Sequence, residues 1–450
     1  MKDLKLGGLK SHDYHTLMQQ LLPVAIRGVL PKHVRDTITR LCFFFNVLCN
    51  KVIDVSKLDD MQREIVTILC LLEKYFPPSF FDIMIHLTVH LVREVKLCGP
   101  VWYRYMYPFE RYMKVLKGYV RNRNRPEGCI AECYIAEEAI EFCSDYLCGV
   151  DTIGIPSSHR QIELTKPLSG AIVHSTSDDE LHQAHRYVLA NDAETDLYIE
   201  EHMVYLRAKF PHKARSKKWL QDEHNRTFAI WLRDHVAHVV DYSTHQVSER
   251  LKWIARGPSK HVLKYSSYLI DGVIYATKER DDIRVVQNSG VSLVAKTMQV
   301  ASAKDKNPIV SDMVFYGVIE EIWVVDYHKF QIPMFKCNWV ENNNGIKIDD
   351  NGFTLVNLNR IGFKSDCFIL ASQAKQVFYI EDPEDPLWSV VLATPSREYF
   401  EYIEGEEFED TAIHYQCFSR GLPSMDVDGG DDNKPPCIRE DCDGTWVENN

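Results

Sequence analysis

The sequence predicts a multidomain α+β protein, a helical N-terminal region followed by a β-rich module. Three observations carry that expectation. At 450 residues the chain is too long for a single compact core. Apolar residues recur at spacings of three and four through the first 150 positions. From about residue 260 the texture changes to short β-branched and aromatic runs separated by turn residues. The resulting division is a helical domain over 1–150, a linker over 151–177 and a helical connecting region over 178–256. A β-rich domain over 260–395 and an acidic, disordered tail over 401–450 complete it.

The first helix is marked by Val34, Ile38, Leu41, Phe45 and Leu48 on one face. Ile65, Ile68, Leu69, Leu72 and Phe76 repeat the pattern until Pro77-Pro78 stops it. Ser79 and Asp82 resemble a capping box that opens a helix reaching about Lys96. A further helix is expected from Glu127 to Leu147, after the breaker Arg125-Pro126. The Ser, Pro, Gly and Thr content of 151–177 reads as a linker, and 178–256 returns to charged helical patterning.

In the β-rich region, Asp271-Gly272 between Tyr268-Leu269-Ile270 and Val273-Ile274-Tyr275 has the residues a type I′ hairpin turn requires. Further strands are expected at Met313–Tyr327, Ile332–Val340, Phe353–Asn357, Gln376–Ile380 and Trp388–Leu392. Small antiparallel sheets curl to protect their edges, so the expected form is a small barrel or rolled sheet.

The net charge of −12 is unevenly spread. Residues 401–450 hold 14 Asp/Glu against 3 Lys/Arg, which leaves the remainder almost neutral. Local basic stretches therefore say more about nucleic acid than the total does. Thirteen irregularly spaced cysteines, a charged start and no apolar run near membrane-span length read as a soluble intracellular protein with free thiols. Cys437 and Cys442, without a second pair, read as thiols and not as a zinc site.

Several residues are candidates for chemistry. On the helix from Glu127, the carboxylate of Glu132 projects from the apolar half occupied by Cys133, Ile135, Ala136, Ala139, Ile140, Phe142 and Cys143. A carboxylate buried there needs a basic partner, a metal or a shifted pKa; a frayed first turn would leave it solvated. His86 and His90, four apart with Glu94 continuing the stripe, can bring two imidazoles to one metal or form a hydrogen-bonded structural stripe. His12 and His15 are a second pair. Residues 101–125 hold seven basic residues against one Glu: Arg104, Arg111, Lys114, Lys117, Arg121, Arg123 and Arg125. Interleaved tyrosines and Trp102 suit contact with nucleic acid, and a solvated basic helix face is the alternative. The run His212-Lys213-Ala214-Arg215-Ser216-Lys217-Lys218 reads as a nuclear import signal or as ordinary surface.

Two stretches resemble a known family. The first is Leu9–His15 and Leu21–Arg27, continuing through His86–His90, Gly99–Arg104, Met106–Lys114 and Arg121–Arg123 to Pro126–Glu132. The second is Gln287–Val291, Phe335–Val340, Phe353–Asn357 and Ala371–Tyr379. In order and content they are similar to the two uncharacterised domains that follow the catalytic region of plant CACTA (En/Spm-type) transposases.

The resemblance implies a cut-and-paste DNA transposase with an RNase H-like core, whose C-terminal part the helical region would form. It implies two divalent ions, Mg or Mn, in the complete enzyme, held by three carboxylates. Glu132 would be the third of these, and the family's first aspartates lie upstream of the matched region. The expectation is a C-terminal fragment that is catalytically incomplete, binds no cofactor alone and acts in DNA binding or scaffolding. Its partners would be transposon-end DNA and further copies of the transposase, and its location the nucleus. The other reading is a non-enzymatic DNA- or protein-interaction protein derived from a decayed element.

Overall fold

The computed structural model describes residues 9, 11–146, 165–242, 247–300, 309–393 and 445–446. Most of the expected acidic tail, with Cys437 and Cys442, lies outside the described residues, as does much of the expected linker.

The helical half opens with short turns from Ser11–Thr16 to Leu22–Ala25. It continues through α1 (Lys32–Leu48), α2 (Leu58–Tyr75), α3 (Leu91–Cys98), α4 (Tyr107–Gly118) and α5 (Pro126–Tyr146). Phe44 and Leu48 of α1 close on Ile65, Ile68 and Leu72 of α2, with Val92 and Val95 of α3 completing the core. The stripe read for α1 is only partly buried, because this helix is covered on two sides. Its Phe43 ring lies 5.4 Å from Phe353 of the distant β-rich region. Helix α2 follows its sequence pattern directly.

The helix expected from Ser79 to Lys96 is broken. Asp82 is the cap, accepting from the Met84 and Ile85 amides at 2.9 and 3.1 Å. The helix Ile83–Leu87 then tightens into a 3₁₀ turn, Thr88–His90, before α3 resumes. The Thr88 hydroxyl donates to the Ile85 carbonyl at 2.7 Å, the local side-chain competition that disfavours a regular helix interior.

The second half interleaves helices and strands: β1 (Ile172–Ser175), α6 (Asp178–Ala190), α7 (Asp196–Lys209), α8 (Lys217–Tyr242) and α9 (Glu249–Arg256). They lead into β2 (His261–Tyr265), β3 (Ser267–Ile270), β4 (Val273–Ala276), β5 (Gly290–Val300), β6 (Ile309–Asp326) and β7 (Gln331–Val340). There follow β8 (Ile346–Ile348), β9 (Thr354–Val356), β10 (Ile361–Gly362), β11 (Phe368–Leu370), β12 (Lys375–Glu381) and β13 (Ser389–Ala393), and Thr445–Trp446 adds a short parallel strand beside β5.

The large sheet runs β10-β7-β6-β5-β12-β13-β9-β8, with neighbours antiparallel; β11 also pairs with β7, and β1-β2 joins at β6. It is not closed into the barrel that the strand texture suggested. Helices supply the physical reason. Tyr187 and Val188 of α6, Phe228, Leu232 and Val236 of α8, and Ile254 of α9 share one core with Phe315, Trp323 and Phe335 of the sheet. Covered by helices, the apolar face has no need to close on itself. Trp323, Val324 and Val325 are all buried, so β6 is covered on both faces there.

The hairpin expectation holds at Asp271-Gly272, where both residues have positive φ, 48° and 82°, and β3 pairs with β4. Within the expected linker, Lys166–Pro167 pairs with β3 and Ile172–Ser175 with β2. At Gly290 an added Cβ would lie 2.2 Å from the Val377 carbonyl oxygen, so β5 and β12 approach too closely there for any side chain.

Candidate nucleic-acid interface

The predicted basic stretch lies on α4 and the turn joining it to α5. Arg104, closing the 3₁₀ turn Val101–Arg104, sits 3.8 Å from Glu94. Lys114 and Lys117 on α4, and Arg121, Arg123 and Arg125 in the turn, are exposed. The side chain of Arg111 lies outside the described residues. The turn is held by the Arg125 amide donating to the Asn122 carbonyl at 3.1 Å, and by the Asn122 side chain accepting from the Asn124 amide at 3.0 Å. The Tyr119 hydroxyl donates to Glu137 of α5, and that carboxylate pushes the phenol up to about 12. A basic turn is thus tied to an acidic helix. The exposed cations are accessible to a polyanion.

Glu132 is exposed. The apolar half expected to bury it is itself uncovered among the described residues, with Ile135 at 64% and Phe142 at 72% exposure. Burial therefore does not single this carboxylate out. His86 and His90 are brought together: their Nε2 atoms stand 3.4 Å apart, long for a hydrogen bond. Two nitrogens on one tetrahedral zinc would be separated by about 3.3 Å, so the pair suits shared ligation as well as ring packing. Among the described residues no group of three or more His, Cys, Asp or Glu is arranged to hold a metal ion. Upstream, His15 Nδ1 lies 3.2 Å from the Gln19 amide nitrogen, and burial lowers its pKa. The His12 side chain is outside the described residues.

Two constellations were not found by reading the sequence. Arg27 is buried at the junction of the helical half and the sheet. Its Nε and Nη2 donate to the two carboxylate oxygens of Asp382 at 3.0 and 3.1 Å, and its Nη1 donates to Asp349. Burial alone would lower the pKa of this guanidinium, but the hydrogen bonds to Asp382 and Asp349 raise it on balance. Lys32–Asp350 and Arg35–Glu384 pairs surround it, and the adjoining cleft holds about 310 Å³. The one signal in the sequence is an arginine ending the apolar run Leu21–Ile26.

The second is a set of buried histidines. His202 and His224 face each other at 2.8 Å through their Nδ1 atoms, and His185 meets the Tyr327 hydroxyl at 2.9 Å. Burial holds His202 down to about 4, and His185 and His224 down to about 3. Neutral rings packed against Phe228 and Trp231 are structural elements of the helical layer.

Fold and surface together define an α+β protein with a helical half, a large open antiparallel sheet and an exposed basic turn. Its sequence matches the family model of one domain of unknown function, DUF4218, over residues 48–160, and that of a second, DUF4216, over residues 323–391. No curated protein and no solved structure matches the chain. The second match begins inside β6, and the core it belongs to also draws on α6, α8, α9 and β5. The packed unit is therefore larger than the matched segment.

Proposed function

We propose that this chain is the C-terminal, DNA-binding and scaffolding portion of a CACTA-type, metal-dependent cut-and-paste transposase that works in the nucleus on transposon-end DNA. The observation that carries the reading is the exposed basic segment from Arg104 to Arg125, inside the first matched domain and adjoining the helix that bears Glu132. The family resemblance of both matched stretches, in their order along the chain, supplies the reaction class. The RNase H-like assignment of the helical half and the place of Glu132 as third metal-binding acid rest on that resemblance too. Phosphate contacts from flexible Arg and Lys side chains give affinity without sequence preference and with steep salt dependence. Strand cleavage would need further carboxylates, because one Glu cannot position two divalent ions.

Replacing Arg121, Arg123 and Arg125 together by Ala should reduce the slope of log affinity for duplex DNA against log salt by about two to three. Fluorescence anisotropy on the full chain measures it. An unchanged slope returns the segment to a solvated helix face. In the same preparation, supercoiled plasmid with Mg²⁺ or Mn²⁺ should remain un-nicked; nicking abolished by Glu132→Gln would overturn the incomplete-enzyme reading.

A further inference from the structure

A second basic surface lies outside both matched segments, at the corner where α7 turns into α8. Residues 207–220 contain Arg207, Lys209, Lys213, Arg215, Lys217 and Lys218, without an Asp or Glu, in a chain whose net charge is −12. All six are exposed. Among the described residues none of the six is within ion-pair distance of a carboxylate. Glu223 is the acid that feels Lys213, and it is already engaged by Arg226 at 2.7 and 3.2 Å.

Aromatic rings hold two of these cations where carboxylates would ordinarily do so. The Lys209 ammonium lies 5.1 Å from the Tyr205 ring centre, 2.8 Å from its hydroxyl and 5.6 Å from the Phe210 ring. Lys213 lies 5.8 Å from the Trp219 ring, and Phe210 and Trp219 pack edge to face at 5.5 Å. A ring quadrupole steadies an ammonium without cancelling its charge. The corner is therefore ordered and uncompensated, which is the state that favours exchange of small counter-ions for a polyanion.

We infer that the α7–α8 corner is a second docking surface for a nucleic-acid backbone. The rings point to phosphates and not bases as the contacts, because lysines already sit over Tyr205, Phe210 and Trp219. Binding is then indifferent to sequence. An import receptor is the competing partner for such a run, but one that grips basic residues along an extended strand meets the wrong shape here. Lys213–Arg215 is a 3₁₀ turn, Lys217 begins a long helix, and Leu220 is buried behind them. This surface goes beyond the Arg104–Arg125 segment and does not depend on the transposase reading.

The test uses the full chain and a labelled duplex of arbitrary sequence, titrated between about 50 and about 200 mM salt. Lys213→Ala, Arg215→Ala and Lys217→Ala together should flatten the log–log slope by about two to three, with an unchanged unfolding midpoint. Lys213→Arg with Lys217→Arg should restore it. The Arg121/Arg123/Arg125 alanine variant is measured alongside, so failure at one surface is distinguishable from failure at the other. An unchanged slope in the corner variant overturns the inference. So does loss of binding to an acidic import receptor while DNA binding keeps its full slope.

Discussion

Helices α5 and α8 are both long, and both carry apolar residues at helical spacing, yet they end in opposite situations. Phe228, Leu232 and Val236 of α8 are buried against α6 and the sheet. On α5, Ile135, Ile140, Phe142 and Tyr146 are each at least 64% exposed. Periodicity in a sequence specifies which face of a helix wants cover; it does not specify whether the rest of the chain supplies it. In α8 the cover arrives from strands about a hundred residues further along. In α5 the neighbouring contacts come from α4 and the turn after it, through Tyr112 to Tyr134 and Tyr119 to Cys133 and Glu137.

The contrast can be broken most severely at Gly290. Ala at that position should destabilise the sheet half by more than about 3 kcal/mol, because the new Cβ meets a backbone carbonyl that no rotamer change can move. Gly128 of α5 has nothing within 4 Å, and its replacement by Ala should instead stabilise the helix by up to about 1 kcal/mol. Urea unfolding of both variants checks the opposite signs. A tolerated Gly290→Ala would mean that β5 and β12 are not paired as described.

A medium effect is expected from pH. His185, His202 and His224 lie in the layer around α8, and each has a folded pKa well below the ordinary 6.5. The folded state resists protonation while the unfolded chain accepts it. Their stabilising contribution is therefore complete above about pH 6.5 and is lost as pH falls toward 4 and then 3. Unfolding near pH 5 should take up about three extra protons from this set. Urea midpoints at neutral and mildly acidic pH measure that uptake, and equal midpoints would mean that these rings are solvated. Helix α5 itself contains no histidine.

Much of the fold was legible because local signals happened to agree with tertiary ones. Pro126 started α5, Asp271-Gly272 imposed its hairpin, and the apolar run around Trp323 became a doubly covered strand. What failed was long-range closure. Nothing in the strand texture reveals that α6, α8 and α9 lie on the sheet, and without that cover a small barrel or rolled sheet is the expectation. The Arg27–Asp382 pair spans 355 positions and has no sequence period. The basic turn at Arg121–Arg125 was legible from composition. The exposure of Glu132 was one of two readings left open, because a helical wheel does not say whether its apolar half is covered.

The smallest effect gives the sharpest version of the comparison. Phe142→Ser removes a large apolar side chain from α5, and Leu232→Ser does the same to α8. The second should cost several kcal/mol, since it leaves a cavity and a polar group in the shared core. The first should change stability by less than about 0.5 kcal/mol, because a side chain 72% exposed loses little burial on truncation. Unfolding at low protein concentration measures the intrinsic value. Repeating it at high concentration asks a further question of the same variant. If the parent chain gains stability with concentration and Phe142→Ser does not, the uncovered stripe is being used between molecules, and mass action supplies the cover that the single chain lacks. If Phe142→Ser costs more than about 1 kcal/mol at the lowest concentration, the stripe is covered within one chain. The distinction between the two helices would then be lost.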